Sequence, residues 1–572
     1  MKDTKIAKDT VMPKIFQRRV KEMGDEPCVF KKNNQGMFEE ISWNKMDEMV
    51  RSIGLYCVSK GIRRGDKVAI FSPNRYEWWV ADMGSISIGA ITVPIYATNT
   101  AVEAQYILAN SDSRICFVGT REHLDKVLEI RKKLPRLLEI VVFDEIDKKI
   151  KGVKTFKEAL KAGAGVKDKK LFDKRLSAVK PDSLITFIYT SGTTGDPKGV
   201  MLSHRNIMTN VDQHFSAFPM FINEEQKVLS FLPLSHVFER TLVYYGCVYA
   251  GIKVYFAENI NTVLDDLKLS KPTLIATVPR LLEKIRAGVY GKVASAPAIK
   301  KALFKWAMSV GKRNMDYVCN GVERKGMFAY KYNLADKLIF TKLKAALGID
   351  NLRYVGCGGA PLNPLDAQFF IGMGIHIVEG FGLSETSPVT NFNTVGHIRL
   401  GTVGLPVKNT EVKIGAGDEI LIRGPQLMVG YYKNKTATRE AFTRDGYLRT
   451  GDTGVIDHEG NLIITGRLKD IIITSGGKNI SPQNIENSLK ESAFIEQVAV
   501  IGDNRNYLTA LIVPSFPDLE AWAAKNQIAF GSKEELLSHQ KVKELFDTEV
   551  KKKMKGFGRV EEIKKYRLIP NE

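Results

Sequence analysis

At 572 residues with a formal charge of +20, the chain is too long for a single hydrophobic core and basic enough to attract anions. Its 44% hydrophobic and 26% charged content is that of a globular protein, and no apolar run has the length needed to cross a bilayer. The opening MKDTKIAKDTVMPKIFQRRV lacks a signal-like apolar block, and six scattered cysteines show no CxxC spacing, which argues for a reducing cytoplasm and against structural zinc.

In chain order, KVAIFSP, ITVPIYA, ICFVG, EIVVFD, LITFIYT, VLSFLPL, IKVYF and TLIATVP are short β-branched runs separated by helical stretches. Such alternation predicts a large α/β domain over 1–467, with mainly parallel sheets flanked by helices. SPNRYEWWVADMGSISIGAITVPI fits a helix between two of these strands. Between Lys292 and Lys344, twelve Lys/Arg face only Asp316, Glu323 and Asp336, a local excess of +9. There, AIKKALFKWAMSVGK places Leu303, Trp306, Ala307 and Val310 at helical spacing, with Lys300, Lys301, Lys305 and Lys312 between them. The expectation is a basic helical insert over about 288–347. Its plain reading is a solvated lysine face, and its sharper one is a face toward an anionic membrane. No nucleic-acid-binding module is recognisable, so nucleic acid is excluded as a partner. From about Asn461 shorter strands and helices predict a small α+β domain over 468–572, in which Ser481 can cap a helix and Pro482 suits its first position.

YTSGTTGDPKGV, Tyr189 to Val200, follows one of the buried runs. It is no Walker loop, lacking GxxxxGK[ST]. Gly192 and Gly195 allow an anion nest of backbone N–H groups, Thr190, Ser191, Thr193 and Thr194 add hydroxyls, and Lys198 adds charge. The composition points to a phosphate chain without naming the reaction. Further along come LPLSHVFER (232–240), GGAPLNP (358–364), VEGFGLSETSPV (378–389), DGYLRTGDTGVI (445–456) and TGRLKDIIITSGGKNISPQNIE (465–486).

In this order the motifs resemble those of the AMP-forming adenylate-forming superfamily: acyl- and aryl-CoA synthetases, luciferases and peptide-synthetase adenylation domains. LPLSHVFER and the helical insert resemble the long-chain fatty acyl-CoA synthetase branch. The resemblance implies ATP, CoA and Mg²⁺ as cofactors and a fatty acid as substrate. It places the 190–198 loop on the departing phosphates, Glu385 and Ser191 at magnesium, and Phe381 on adenine, where the family usually has Tyr. Gly358, Gly359, Ala360, Gly382 and Ser384 would line the nucleotide. Asp452 and Arg467 would hold its ribose, and His236 would position the carboxylate. Lys469 would be the hinge of a mobile small domain, and Ser475, Gly476, Gly477 and Lys478 would border the CoA thiol's path.

The family's terminal Gly-Lys loop, whose lysine assists adenylation, is not found after Lys478. The four lysines Lys551, Lys552, Lys553 and Lys555 are read as a solvated helix end. The expectation is therefore weakened adenylation in this chain. Two alternatives stay open: an acyl-AMP ligase loading a carrier protein, and a pseudo-ligase competent only for binding or the thioester half-reaction. The oligomer would be a monomer or homodimer, and the location cytoplasmic, with peripheral contact at the inner face of a membrane.

Overall fold

A computed structural model describes residues 10–146, 148–190, 196–259, 261–475 and 479–571. All eight apolar runs become strands of two large mixed sheets. One sheet has eight strands. Its centre pairs Lys67–Phe71, Ile91–Ile95 and Ser113–Val118 in parallel, and β1 (Leu184–Thr190) joins Ile91–Ile95 in the same sense. Beyond β1 the sheet turns antiparallel, through β2 (Lys198–Ser203) and then Gly430–Tyr431. Sequence reading left β2 as the tail of a loop. Its antiparallel ladder with β1, from Lys198 opposite Thr190 to Ser203 opposite Leu184, makes it a strand, so the 191–195 segment joins two neighbouring antiparallel strands.

The second sheet has nine strands, five of its neighbouring pairs being parallel. Near one end, β3 (Tyr354–Cys357) lies parallel to β4 (His376–Gly382), with Gly356 opposite Val378. The helix Tyr76–Ser87, expected from its sequence, is buried along almost its whole length, as a crossover helix between two sheets must be. A smaller antiparallel sheet contains β5 (Leu448–Ile456) and β6 (Leu462–Arg467), in which Asp452 is the register partner of Arg467.

The insert is helical as expected. Its second and third helices are α1 (Ala298–Asn320) and α2 (Gly326–Ala335). Ala307 and Val310 of α1 are buried and Lys300, Lys301, Lys305 and Lys312 are exposed, in line with the spacing. The small C-terminal α+β domain closes its own apolar core, with Ile485 and Leu489 of α3 (Pro482–Lys490) packed against Leu508, Ile512 and Phe546. Pro482 does open this helix, but Ser481 does not cap it. Its hydroxyl donates instead to the Thr465 carbonyl at 2.5 Å, tying the helix start to β6. All six cysteines are buried and free, Cys357 among them.

Candidate active site

The loop 230–240 is pinned from within. The Asn74 side chain donates to Leu232 O at 2.6 Å and accepts from Leu234 N at 2.9 Å. Arg240, wholly buried, ion-pairs with the equally buried Asp82 and donates to Thr186 at 2.6 Å and to the Tyr245 hydroxyl at 2.9 Å. A guanidinium without water holds its place only when such partners surround it, and removing one leaves an uncompensated charge worth several kcal/mol, about 3–5. This network anchors the segment that carries His236 and Phe238. His236 is exposed. Its Nδ1 accepts the Phe238 N–H at 3.2 Å, and the protein surrounding the inner side of the ring limits hydration and lowers its pKa. Neighbouring Glu239 accepts from Ser230 at 2.6 Å, while burial raises its carboxyl to about 8.

Phe238 leads into a narrow apolar cavity with about 60 Å³ of room for water-sized molecules. Phe215, Phe218, Leu242, Ala276, Gly356 and Val378 line it. His214 joins this wall, ringed by Phe215, Phe218, Phe221 and Phe392 at centroid distances of 4.9–6.1 Å. Burial pushes its imidazole down to about 4, so the ring is neutral at physiological pH. None of these lining positions was given a role from the sequence, although Phe238 and Val378 stand in quoted motifs, because the lining comes from six separate segments.

The motif residues lie where the two cavity strands end. Gly356 of β3 faces the cavity, and two residues later Gly358 begins the 358–364 turn. A Cβ on Gly358 would stand 3.3 Å from Gly380 O and 3.9 Å from the Phe238 ring. Gly359 has φ +84, a conformation that glycine adopts without strain, and Ala360 beside it is exposed. On β4, Val378 faces the cavity and Phe381 lies three residues on, packed against the core cluster of Ile420, Ile422 and Leu462. Gly382 has no alternative: a Cβ there would meet Pro388 O at 1.8 Å. Ser384 opens the single turn Ser384–Thr386, which Thr386 stabilises by accepting the Leu383 N–H at 2.8 Å.

Glu385, in that turn, accepts a hydrogen bond from the Tyr431 hydroxyl at 2.8 Å. The Lys198 ammonium lies 5.2 Å from the centre of the same tyrosine ring. Tyr431 therefore gathers two charged groups that the sequence reading named separately, Lys198 at the phosphates and Glu385 at magnesium, yet it was not itself predicted. Its signal was the aromatic pair in GYYKN, which carries no chemistry alone. Thr190 ends β1 opposite Lys198 in the ladder, whereas Ser191, Gly192, Thr193, Thr194 and Gly195 lie outside the described residues.

Arg467 Nε is 3.0 Å from Asp452 Oδ1. Burial raises the Asp452 carboxyl to about 6 despite the arginine, with the Glu385 charge adding to the rise. The turn Leu468–Asp470 follows at once and contains Lys469, exposed. Ser475 is exposed, its hydroxyl bonded to Asn506 at 2.5 Å, and Gly476, Gly477 and Lys478 lie outside the described residues. The small domain meets the large one through Arg280 to Glu496 at 2.8 Å and Asn363 to Lys490 O at 3.1 Å, the latter at the end of the 358–364 turn.

Among the described residues no cluster of three or more His, Cys, Asp or Glu could cage a metal. A lone carboxylate such as Glu385 suits magnesium, a hard cation that takes few protein ligands and completes its shell with water and phosphate oxygens.

The sequence profile of the AMP-binding enzymes matches residues 16–432, and that of the AMP-binding enzyme C-terminal domain matches 469–541. The chain is 33% identical to the long-chain-fatty-acid–CoA ligase FadD15 of Mycobacterium bovis, over 98% of this chain and 92% of that protein. It is 32% identical to the human long-chain-fatty-acid–CoA ligase ACSBG2, over 88% of this chain and 76% of the relative. In fold it is similar to the anthranilate CoA ligase AuaEII in complex with anthranoyl-AMP (TM-score 0.72, 18% identity, covering 100% of this chain and 95% of the other). It is likewise similar to a Mycobacterium tuberculosis fatty acyl CoA synthetase (TM-score 0.61, 20% identity, 98% and 94% covered).

Proposed function

Because this chain belongs to the AMP-binding enzyme family, and relatives across almost its full length are named long-chain-fatty-acid–CoA ligases, we propose that it activates a long- or medium-chain fatty acid with ATP and passes the acyl group to CoA. One observation carries this reading. Two adjacent parallel strands, in register at Gly356 and Val378, form the cavity wall and then run directly into the polar motifs at their carboxyl ends. An acid whose tail enters the cavity would bring its carboxylate toward the carboxyl ends of these strands, on the side of the polar motifs, where Tyr431 links Glu385 and Lys198. Ligands of open α/β sheets bind at such carboxyl ends.

In the first step a carboxylate oxygen attacks the α-phosphorus, the bond to the bridging oxygen breaks, and pyrophosphate leaves with its electron pair. Lys198 and the 190–195 loop stabilise the charge accumulating on the leaving group. Glu385, with Ser191, would hold Mg²⁺, which when bound neutralises phosphate charge. Tyr431 orients the Glu385 carboxylate. Phe381 stacks on adenine, Gly358, Gly359, Ala360, Gly382 and Ser384 line the base, and ionised Asp452 with Arg467 holds the ribose. His236 positions the carboxylate at the cavity mouth and needs no charge to do so. In the second step the CoA sulfur attacks the acyl carbonyl and AMP departs. The large domain would end at Arg467, with rotation about Lys469 bringing Ser475 to Lys478 toward the thiol's path. Work in the cytoplasm, with peripheral contact at an anionic membrane, completes the reading.

The test is ATP-dependent AMP formation across saturated acids of increasing length, with CoA, with acyl carrier protein, and with neither. Thioester formation on CoA, rising with chain length, is the expected result. Thioester on carrier protein alone would replace CoA as acceptor, and no AMP with any acid would overturn the reading.

A further inference from the structure

The helix α2 breaks the rule by which surface helices are built. Phe328, Tyr332 and Ala335 are buried on one face, Phe328 stacked on Tyr317 of α1 at 4.9 Å. The opposite face should then be polar, but it carries Met327, Tyr330 and Leu334, which are 70%, 67% and 38% exposed. Positions i, i+3 and i+7 share one side of a helix, so these three make a continuous outward stripe. A helix with apolar residues on a second face is normally covered there too, yet this face is bare, flanked within α2 only by Lys331 and Asn333. Val322, in the turn before α2, and Ile299, at the start of α1, are exposed as well, at 58% and 83%.

The stripe sits in the most basic part of the chain. Lys331 borders it on one side and Lys337 on the other by helical spacing, with Lys325 just before the helix. Lys292, Lys300, Lys301, Lys305, Lys312 and Lys342 are also exposed, and none of these nine lysines forms an ion pair among the described residues. Uncovered apolar side chains within a field of unpaired cations match one kind of partner, an anionic lipid surface. Acyl chains would receive the stripe while headgroup phosphates receive the lysines. A protein partner with an acidic rim would need a matching apolar groove. A second copy of this face would oppose lysine to lysine at a net +9 on each side.

We infer that Met327, Tyr330 and Leu334 of α2 form a membrane-docking face, seated in the interfacial region of an anionic bilayer by the surrounding lysines. Sequence reading gave this role to the lysines around Lys300. The structure moves the insertion point to α2 and adds an apolar contact that salt alone does not break. The proposal rests on the membrane contact in the reading above, which it assigns to one helix face, and is independent of the catalytic steps.

Co-sedimentation of the full chain with vesicles of phosphatidylcholine, alone or mixed with phosphatidylglycerol, tests it. The wild type should bind the mixed vesicles, bind pure phosphatidylcholine weakly, and keep a residual affinity at high salt. The charge variant K325E/K331E/K337E should lose about fivefold or more per site at low salt. The variant M327E/Y330E/L334E should lose the salt-resistant part entirely. Unchanged thermal unfolding midpoints would certify that both variants fold. Equal binding of the glutamate-stripe variant and the wild type would overturn the inference. So would a dimer that the stripe variant abolishes, in a wild type without vesicle affinity.

Discussion

The ends of the site proposed for the nucleotide and for the acyl tail are built on opposite plans. At the first, a few polar groups from short contiguous motifs meet around one tyrosine ring, with Glu385 hydrogen-bonded to it and Lys198 beside it. At the second, apolar side chains from six segments enclose a cavity, and none is informative alone. Charge placed on a phosphate chain depends on particular atoms at particular spacings, so it leaves a pattern in the sequence. Enclosing a hydrocarbon tail depends on total shape, which many residue combinations provide.

That contrast is broken most sharply at Lys198. Lys198→Ala should lower kcat for AMP formation roughly a hundred- to a thousandfold with every acid alike, because a group stabilising transition-state charge is removed and the tail's binding is untouched. Steady-state kinetics across the acid series checks this, and a loss confined to long acids would contradict it. The mirror experiment is Gly356→Leu. A Cβ at Gly356 has nothing closer than Ile275 O at 3.9 Å, so the backbone tolerates it and the side chain projects into the cavity. Long acids should lose about a hundredfold in kcat/KM while short ones keep theirs.

A smaller effect separates the two ends by pH. Asp452 has its carboxyl raised to about 6, and in its proposed role it must be ionised to accept ribose hydroxyls. The fraction ionised falls as pH drops through that value, so kcat/KM for ATP should fall about tenfold per pH unit below it. The acyl end, whose His214 stays neutral down to about pH 4, should show no matching change in the preference among acids. Glu385→Gln removes one cause of the rise and should shift the profile of residual activity toward acid; an unmoved profile would show that burial alone sets it. The mildest change is Tyr431→Phe. Glu385 is only partly buried, water can take the freed oxygen, and a loss of about fivefold in kcat/KM for ATP is expected.

The same difference explains what could be read in advance. Eight β-branched runs became eight strands, because burial on both faces demands that composition. Glu385, Lys198, Asp452 and Arg467 were legible as motif members, and the structure pairs the last two directly. Tyr431 was not legible, since it acts through Glu385 and lies 46 residues away from it. Arg240 stood in a quoted motif without a role, and only burial beside Asp82 reveals that it anchors the His236 segment. Ser481 had the right identity and position for a cap, but a nearer acceptor, the Thr465 carbonyl, takes its hydroxyl. Nor does periodicity announce that α2 is apolar on its uncovered side, because exposure depends on what the rest of the chain leaves bare.

Asp452 and Arg467 form one rung of an antiparallel ladder, and the turn holding Lys469 begins at the very next residue. If that turn is the pivot, the sugar of a bound adenylate is gripped wholly on the stationary side. The activated acid then need not be released and recaptured while the second substrate's machinery swings into place. How often it escapes as a wasted ATP is a race between ladder-held retention and thiol arrival, and the position of the small domain enters only through the second.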